Sequence, residues 1–139
     1  MTNNTPRGIR NNNPLNIVRG SNWLGLSVEQ NDTGFCQFSE MKYGLRAAMY
    51  LLKKYITKYN RDTIAKIIAA WAPNSDGNNE DAYAKVVGRH LKKQVNDFVY
   101  TIDIPKLTYA MACVECGQRH IQEAGITVEL CEKIYKEYL

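Results

Sequence analysis

Arg7-Gly-Ile-Arg-Asn-Asn-Asn-Pro-Leu-Asn-Ile-Val-Arg-Gly-Ser-Asn-Trp-Leu-Gly25 stands apart in this 139-residue chain, because most of the residues beyond Phe38 read as helical scaffold. Asn11, Asn12, Asn13, Asn16 and Asn22 place five side-chain amides in it, each able to donate and to accept. Asn side chains compete for nearby backbone groups, so turns are favoured over helix. Gly8, Pro14, Gly20 and Gly25 punctuate the same residues and predict a backbone that folds back on itself. Trp23 adds a broad apolar face beside the amides. Amides, arginines and an indole together suit a polyhydroxylated, N-acetylated ligand such as a glycan, whose hydroxyl and acetamido groups pair with the amides while a ring covers an apolar sugar face. The same residues also suit a plainer role, in which Asn satisfies its own backbone and Trp fills a core.

Beyond this segment, Leu26 to Phe38 carries Asn31-Asp-Thr-Gly34 between more apolar flanks, which predicts a short β-hairpin. Ser39 is placed to cap a long helix in which Met41, Leu45, Ala48, Leu52 and Ile56 recur at helical spacing. Asp62 or Thr63 opens a second helix with Ile64, Ile67, Ile68 and Trp71 on one stripe, ended by Pro73. Asn74 to Asn79 is a polar loop, and Glu80 resumes helix with Tyr83, Val86, Val87 and Leu91 facing inward. Pro105 suits a first helical turn for a helix closed by Gly117, and Thr127 can cap the last helix, with Val128, Leu130, Ile134 and Tyr138 in helical register. The chain therefore reads as a single domain over 1–139, with 1–6 loose, 7–38 turn-rich and 39–139 a helical scaffold.

The motifs Arg7-Gly-Ile-Arg-Asn-Asn-Asn-Pro-Leu-Asn-Ile17, Trp23-Leu-Gly25, Asp32-Thr-Gly-Phe35, Phe38, Gly44-Leu-Arg-Ala47 and Trp71-Ala-Pro73 with Tyr83 resemble a family of small bacteriophage virion structural proteins. That family is related, at the level of fold, to lysozyme-like peptidoglycan-cleaving domains. The resemblance covers about residues 7 to 90 and implies a mainly α (α+β) fold, a lysozyme-like helical domain with one small β-hairpin near the amino terminus. One departure is Leu15, where the family pattern carries Gly, which bears on the tightness of the turn after Pro14.

Cleaving a glycosidic bond requires a carboxylic acid near the leaving oxygen and often a second carboxylate as base or nucleophile. Glu29 and Asp32 are the two carboxylates before Phe38, at the mouth of the expected hairpin. They are the candidate general acid and second carboxylate, with Glu40 as a substitute. Lysozyme-like enzymes commonly place the acid at the end of an N-terminal helix, and no Glu precedes Asn11 here. The expected substrate-binding set is Arg10, Asn11, Asn12, Asn13, Asn16 and Trp23, faced by Trp71, Tyr83 and the Asn74–Asn79 loop as a second wall. Arg7, Arg10 and Arg19 suit peptide-stem carboxylates, or else pair with Asp32 or Glu29 within the chain.

Net charge of +4 and a pI near 8.9 suit an acidic polymer without demanding one. Cys36, Cys113, Cys116 and Cys131 occur without a secretory signal region, so free thiols are expected. Cys113-Val-Glu-Cys116 with His120 and Cys131 is a weak zinc pattern, and no metal or cofactor is expected. No apolar run approaches a membrane span. The expected function is a phage-derived protein that binds peptidoglycan and cleaves its glycan strand as a muramidase or lytic transglycosylase. The alternative is a non-catalytic virion structural protein with the same fold. Partners are then peptidoglycan and other virion proteins, after synthesis in the bacterial cytoplasm and association with the virion or release to the wall. Nucleic acid, suggested by the Lys/Arg group around residues 85 to 93, is the weakest candidate partner.

Overall fold

The computed structural model describes residues 4–139. Among the described residues there are seven α-helices, α1 (Arg7–Arg10), α2 (Met41–Thr57), α3 (Ile64–Trp71), α4 (Glu80–Leu91), α5 (Ile104–Cys116), α6 (Gln118–Glu123) and α7 (Val128–Tyr138), with 3-10 turns at Asn74–Asp76 and Thr101–Asp103. None of these helices is long and apolar enough to cross a membrane.

Helix α5 is the axis of the molecule. Ile104, Leu107, Ala110, Met111 and Ala112 are each fully buried, and α1, α2, α4, α6 and α7 all pack on it. A helix enclosed on every side must be apolar around its circumference, and this one nearly is. Its buried Thr108 satisfies its hydroxyl by donating to Ile104 O at 2.7 Å. Against α5, α2 lays Leu45, Ala48, Met49 and Leu52, α3 contributes Ile64, Ile67 and Ile68 to the same core, and α7 adds Cys131 and Ile134.

The helix ends follow side-chain chemistry. Thr63, Asn79 and Thr127 accept from Lys66 N, Ala82 N and Leu130 N, so each caps the helix next in the chain. Gly117, at φ +90°, closes α5, and Pro105 sits in its first turn. Ser39 does not cap α2: its Oγ donates to Gly25 O at 3.2 Å, and Glu40 occupies the cap position in extended conformation with no side-chain cap bond.

The expected β-hairpin is absent, so the fold is mainly α without a strand or sheet among the described residues. In its place are isolated antiparallel bridges, Val18 with Phe35 and Leu26 with Phe38. The physical reason is competition for donors. Gln37 N donates to Gln30 Oε1, Asn31 N to Gln37 Oε1, and Gly34 N and Phe35 N to Asp32 Oδ1, so side chains take backbone groups that a ladder would need. Residues 95–100 are irregular, held to the start of α3 by Ala65 N to Val95 O at 2.8 Å and Val99 N to Asp62 O at 2.7 Å.

Candidate functional site

The Asn-rich segment closes on itself and on Asp32. Asn13 is fully buried; its Nδ2 donates to Ile17 O and Cys36 O, each at 3.0 Å, while Oδ1 accepts from Ile17 N at 2.9 Å. Asn11 donates to Asp32 Oδ2 at 3.0 Å and accepts from Gln37 Nε2 at 3.0 Å. Asn12 donates to Phe38 O at 3.0 Å. Two of these asparagines also serve the backbone directly: Asn12 at φ 52° and Asn16 at φ 55° occupy the left-handed region, which Asn tolerates better than most residues. The turn after Pro14 is therefore made by Asn16, whose N–H donates to Asn13 O at 3.0 Å, and Leu15 needs no glycine-like freedom. Leu15 instead is core, 1% exposed.

Asp32 is the post around which the segment winds. Arg7 donates to it through both Nε, at 2.6 Å, and a terminal nitrogen, and lies over the Phe35 ring with its guanidinium carbon 4.4 Å from the centroid. Asn11, Gly34 N and Phe35 N complete the carboxylate's partners. These donors, Arg7 foremost, hold the Asp32 carboxyl well below the usual carboxylate range, so it stays ionised and has no proton to give at any ordinary pH. Arg19 donates to Asp32 O at 3.2 Å.

Glu29, Glu40, Arg10 and Asn22 are exposed. The cavity beside the segment, about 270 Å³, is lined by Arg19, Asn22, Leu26, Gln30 and Cys36 with small residues, and by no carboxylate. Trp23 is half-buried edge-on to Tyr50 of α2, ring centroids 5.7 Å apart. Trp71 is also half-buried; its Nε1 donates to Leu15 O at 3.2 Å and its ring meets Tyr55 edge-on. The loop beyond it is engaged locally: Asn74 N and Oδ1 pair reciprocally with Glu80, Asn78 donates to Pro73 O and Asn79 caps α4.

One acid that sequence reasoning misses occupies the junction. Glu115 of α5 accepts from Asn16 Nδ2 at 3.0 Å and from Tyr83 Oη at 2.8 Å. Burial raises its pKa, opposed by those two donors, and burial with the adjacent Glu115 raises that of Tyr83 well above the ordinary phenol. Its signal is present in the chain: it is the lone carboxylate within the mostly apolar Ile104–Cys116 helix, masked by the more conspicuous cysteines on either side. Those cysteines are buried thiols, with Cys116 and Cys131 pushed up to about 12 by burial, and no group of three or more metal-type ligands converges among the described residues.

No family model matches the chain. Over 122 residues it is 35% identical to Protein P5 of Pseudoalteromonas phage PM2, covering 83% of this chain and 74% of that protein. This chain belongs to the Protein P5 family. A relative in a bacteriophage agrees with the phage resemblance drawn from the Asn-rich motifs. In this member of the P5 family Arg7 and Asn11 gather on Asp32, with Gln37 on Asn11, and a separate polar contact, Asn16 with Glu115 and Tyr83, ties residues 7–38 to α4 and α5.

Proposed function

We propose that this chain is a structural component of a bacteriophage particle, working beside other virion proteins. The observation that carries this reading is the closure of the polar segment. Asn11, Asn12, Asn13 and Asp32 are engaged within the chain, as a framework requires and an open sugar-binding wall does not. Kinship with a phage protein supports the setting. Mass spectrometry of purified particles is the test: the chain is expected at stoichiometric abundance, and its absence from intact particles overturns the reading.

Glu115 supports a second reading, cleavage of the peptidoglycan glycan strand. A carboxylic acid with a raised pKa is what protonation of a glycosidic oxygen needs, and Glu115 meets that requirement where ionised Asp32 does not. Zymography on purified peptidoglycan separates the two readings. Clearing by wild type that disappears in Glu115→Gln supports the enzyme. No clearing at any pH from 4 to 8, a range of about four units spanning the working range of a raised carboxyl, removes it.

A further inference from the structure

Residues 41 to 61 hold six of the chain's eighteen Lys and Arg and none of its fourteen Asp and Glu. Four tyrosines, Tyr43, Tyr50, Tyr55 and Tyr59, alternate with those cations. Among the described residues Arg46, Lys53, Lys54, Lys58 and Arg61 make no salt bridge; they lie over tyrosine rings instead, Lys54 at 4.9 Å from the Tyr50 centroid and Arg61 at 4.6 Å from that of Tyr55. Lys53 also donates to Leu139 O at 3.0 Å. Lys42 differs, since Glu40 and Glu137 lie near enough to act on its charge.

This face is concave. Two adjoining clefts of about 360 Å³ each share Arg46, Tyr50 and Lys54; one runs to Trp23, the other to Lys53 and Tyr138. Between them they follow α2 from Arg46 to Thr57, a length of about 17 Å at the helical rise. Beneath the cleft two buried donors, Trp23 Nε1 and Arg46 Nε, have no acceptor. Cations, planar rings, unpartnered donors and a lining without side-chain carboxylates form a linear site for a polyanion.

We propose that the outer face of α2 binds single-stranded nucleic acid, with Arg46, Lys53 and Lys54 taking phosphates and Trp23, Tyr50 and the Arg46 guanidinium offering planar surfaces to bases. A sequence-tolerant site of this kind combines a basic groove with stacking rings, as found here. An anionic bilayer would be met by apolar side chains projecting past the cations, whereas here cations lie over the Tyr50 ring. The site does not rest on the virion or wall readings and uses none of Asn11, Asn12, Asn13, Asp32 and Glu115, the residues that carry them in the structure; Trp23, expected from the sequence to cover a sugar, is the one residue it shares with the expected sugar-binding set.

The experiment is fluorescence anisotropy with the whole chain and a labelled oligothymidylate of about twelve nucleotides, titrated at several salt concentrations. Wild type is expected to bind with log K falling against log salt at a slope near −2, about −0.7 for each of three phosphates. Replacing Arg46, Lys53 and Lys54 together by Gln is expected to weaken binding about tenfold or more and flatten that slope. Lys54→Glu alone, which removes no hydrogen bond, carries the same test should the triple variant not fold. The matched control replaces Lys85, Arg89 and Lys92, an exposed basic group at the end of α4, by Gln; it is expected to stay within about threefold of wild type. Equal losses in the two sets would show a response to net charge and overturn the assignment. So would binding to phosphatidylglycerol vesicles without binding to the oligonucleotide.

Discussion

Asp32 has five donors on one carboxylate, and their shared effect is directional in pH. Its folded-state pKa is depressed, so the stabilisation it provides is complete above the unfolded value of about 4 and declines as pH falls toward the folded one. Asp32→Asn keeps an oxygen for the Gly34 and Phe35 amides and loses the charge facing Arg7. The expected outcome is a melting temperature roughly 3–8 °C lower at pH 7, with the gap to wild type closing as both are titrated below about pH 4. Glu115 has the opposite sign. Its raised pKa means that ionisation opposes folding, so stability drops as pH rises past the ordinary glutamate value. Glu115→Gln should therefore melt at or above wild type at pH 8 and converge with it near about pH 4, a comparison that thermal denaturation by circular dichroism makes directly. The asparagines are legible in the sequence as turn formers, and their identity as left-handed residues at 12 and 16 is the physical content of that reading. The destination of each amide is not legible. Asn16 reaches Glu115 across ninety-nine residues, and no local pattern encodes so distant a partner.

At the scale of elements, the helices are readable because their signals are local. Thr63, Thr127 and Pro105 act where their chemistry predicts. The hairpin expectation fails for an equally local reason. Asn31-Asp-Thr-Gly34 does fold back, but Asp32, Gln30 and Gln37 take main-chain donors that strands would share, leaving bridges in place of a ladder. The junction of the opening segment with α2 depends on an absent side chain. A Cβ on Gly44 would lie 1.9 Å from Asn12 O and 3.2 Å from Asn13 Cα, both backbone atoms that cannot swing aside. Gly44→Ala must push residues 11–13 off the helix, and a loss of about 3 kcal/mol or more is expected from urea denaturation, far beyond the gain in helix propensity of about 1 kcal/mol. A loss below about 1 kcal/mol would mean that the contact between segment and helix gives way easily.

For the molecule as a whole, α5 is the element that the other layers share, so damage there should not remain local. Met111 is fully buried at its centre, and Met111→Ala is expected to cost about 2–5 kcal/mol, read as one cooperative transition by both fluorescence and circular dichroism. Separate transitions for the two signals would show that the opening segment and the helices unfold independently. The four thiols add a natural reporter of that cooperativity. Cys36 lies in the opening segment, Cys113 and Cys116 on α5 and Cys131 on α7, all buried, and burial keeps each in its protonated form. A thiol attacks an alkylating reagent as the thiolate, so none should react until the structure around it opens. If the molecule opens as a unit, iodoacetamide will modify all four sulfurs on one timetable, and the order of mass additions becomes a clock for how this protein comes apart.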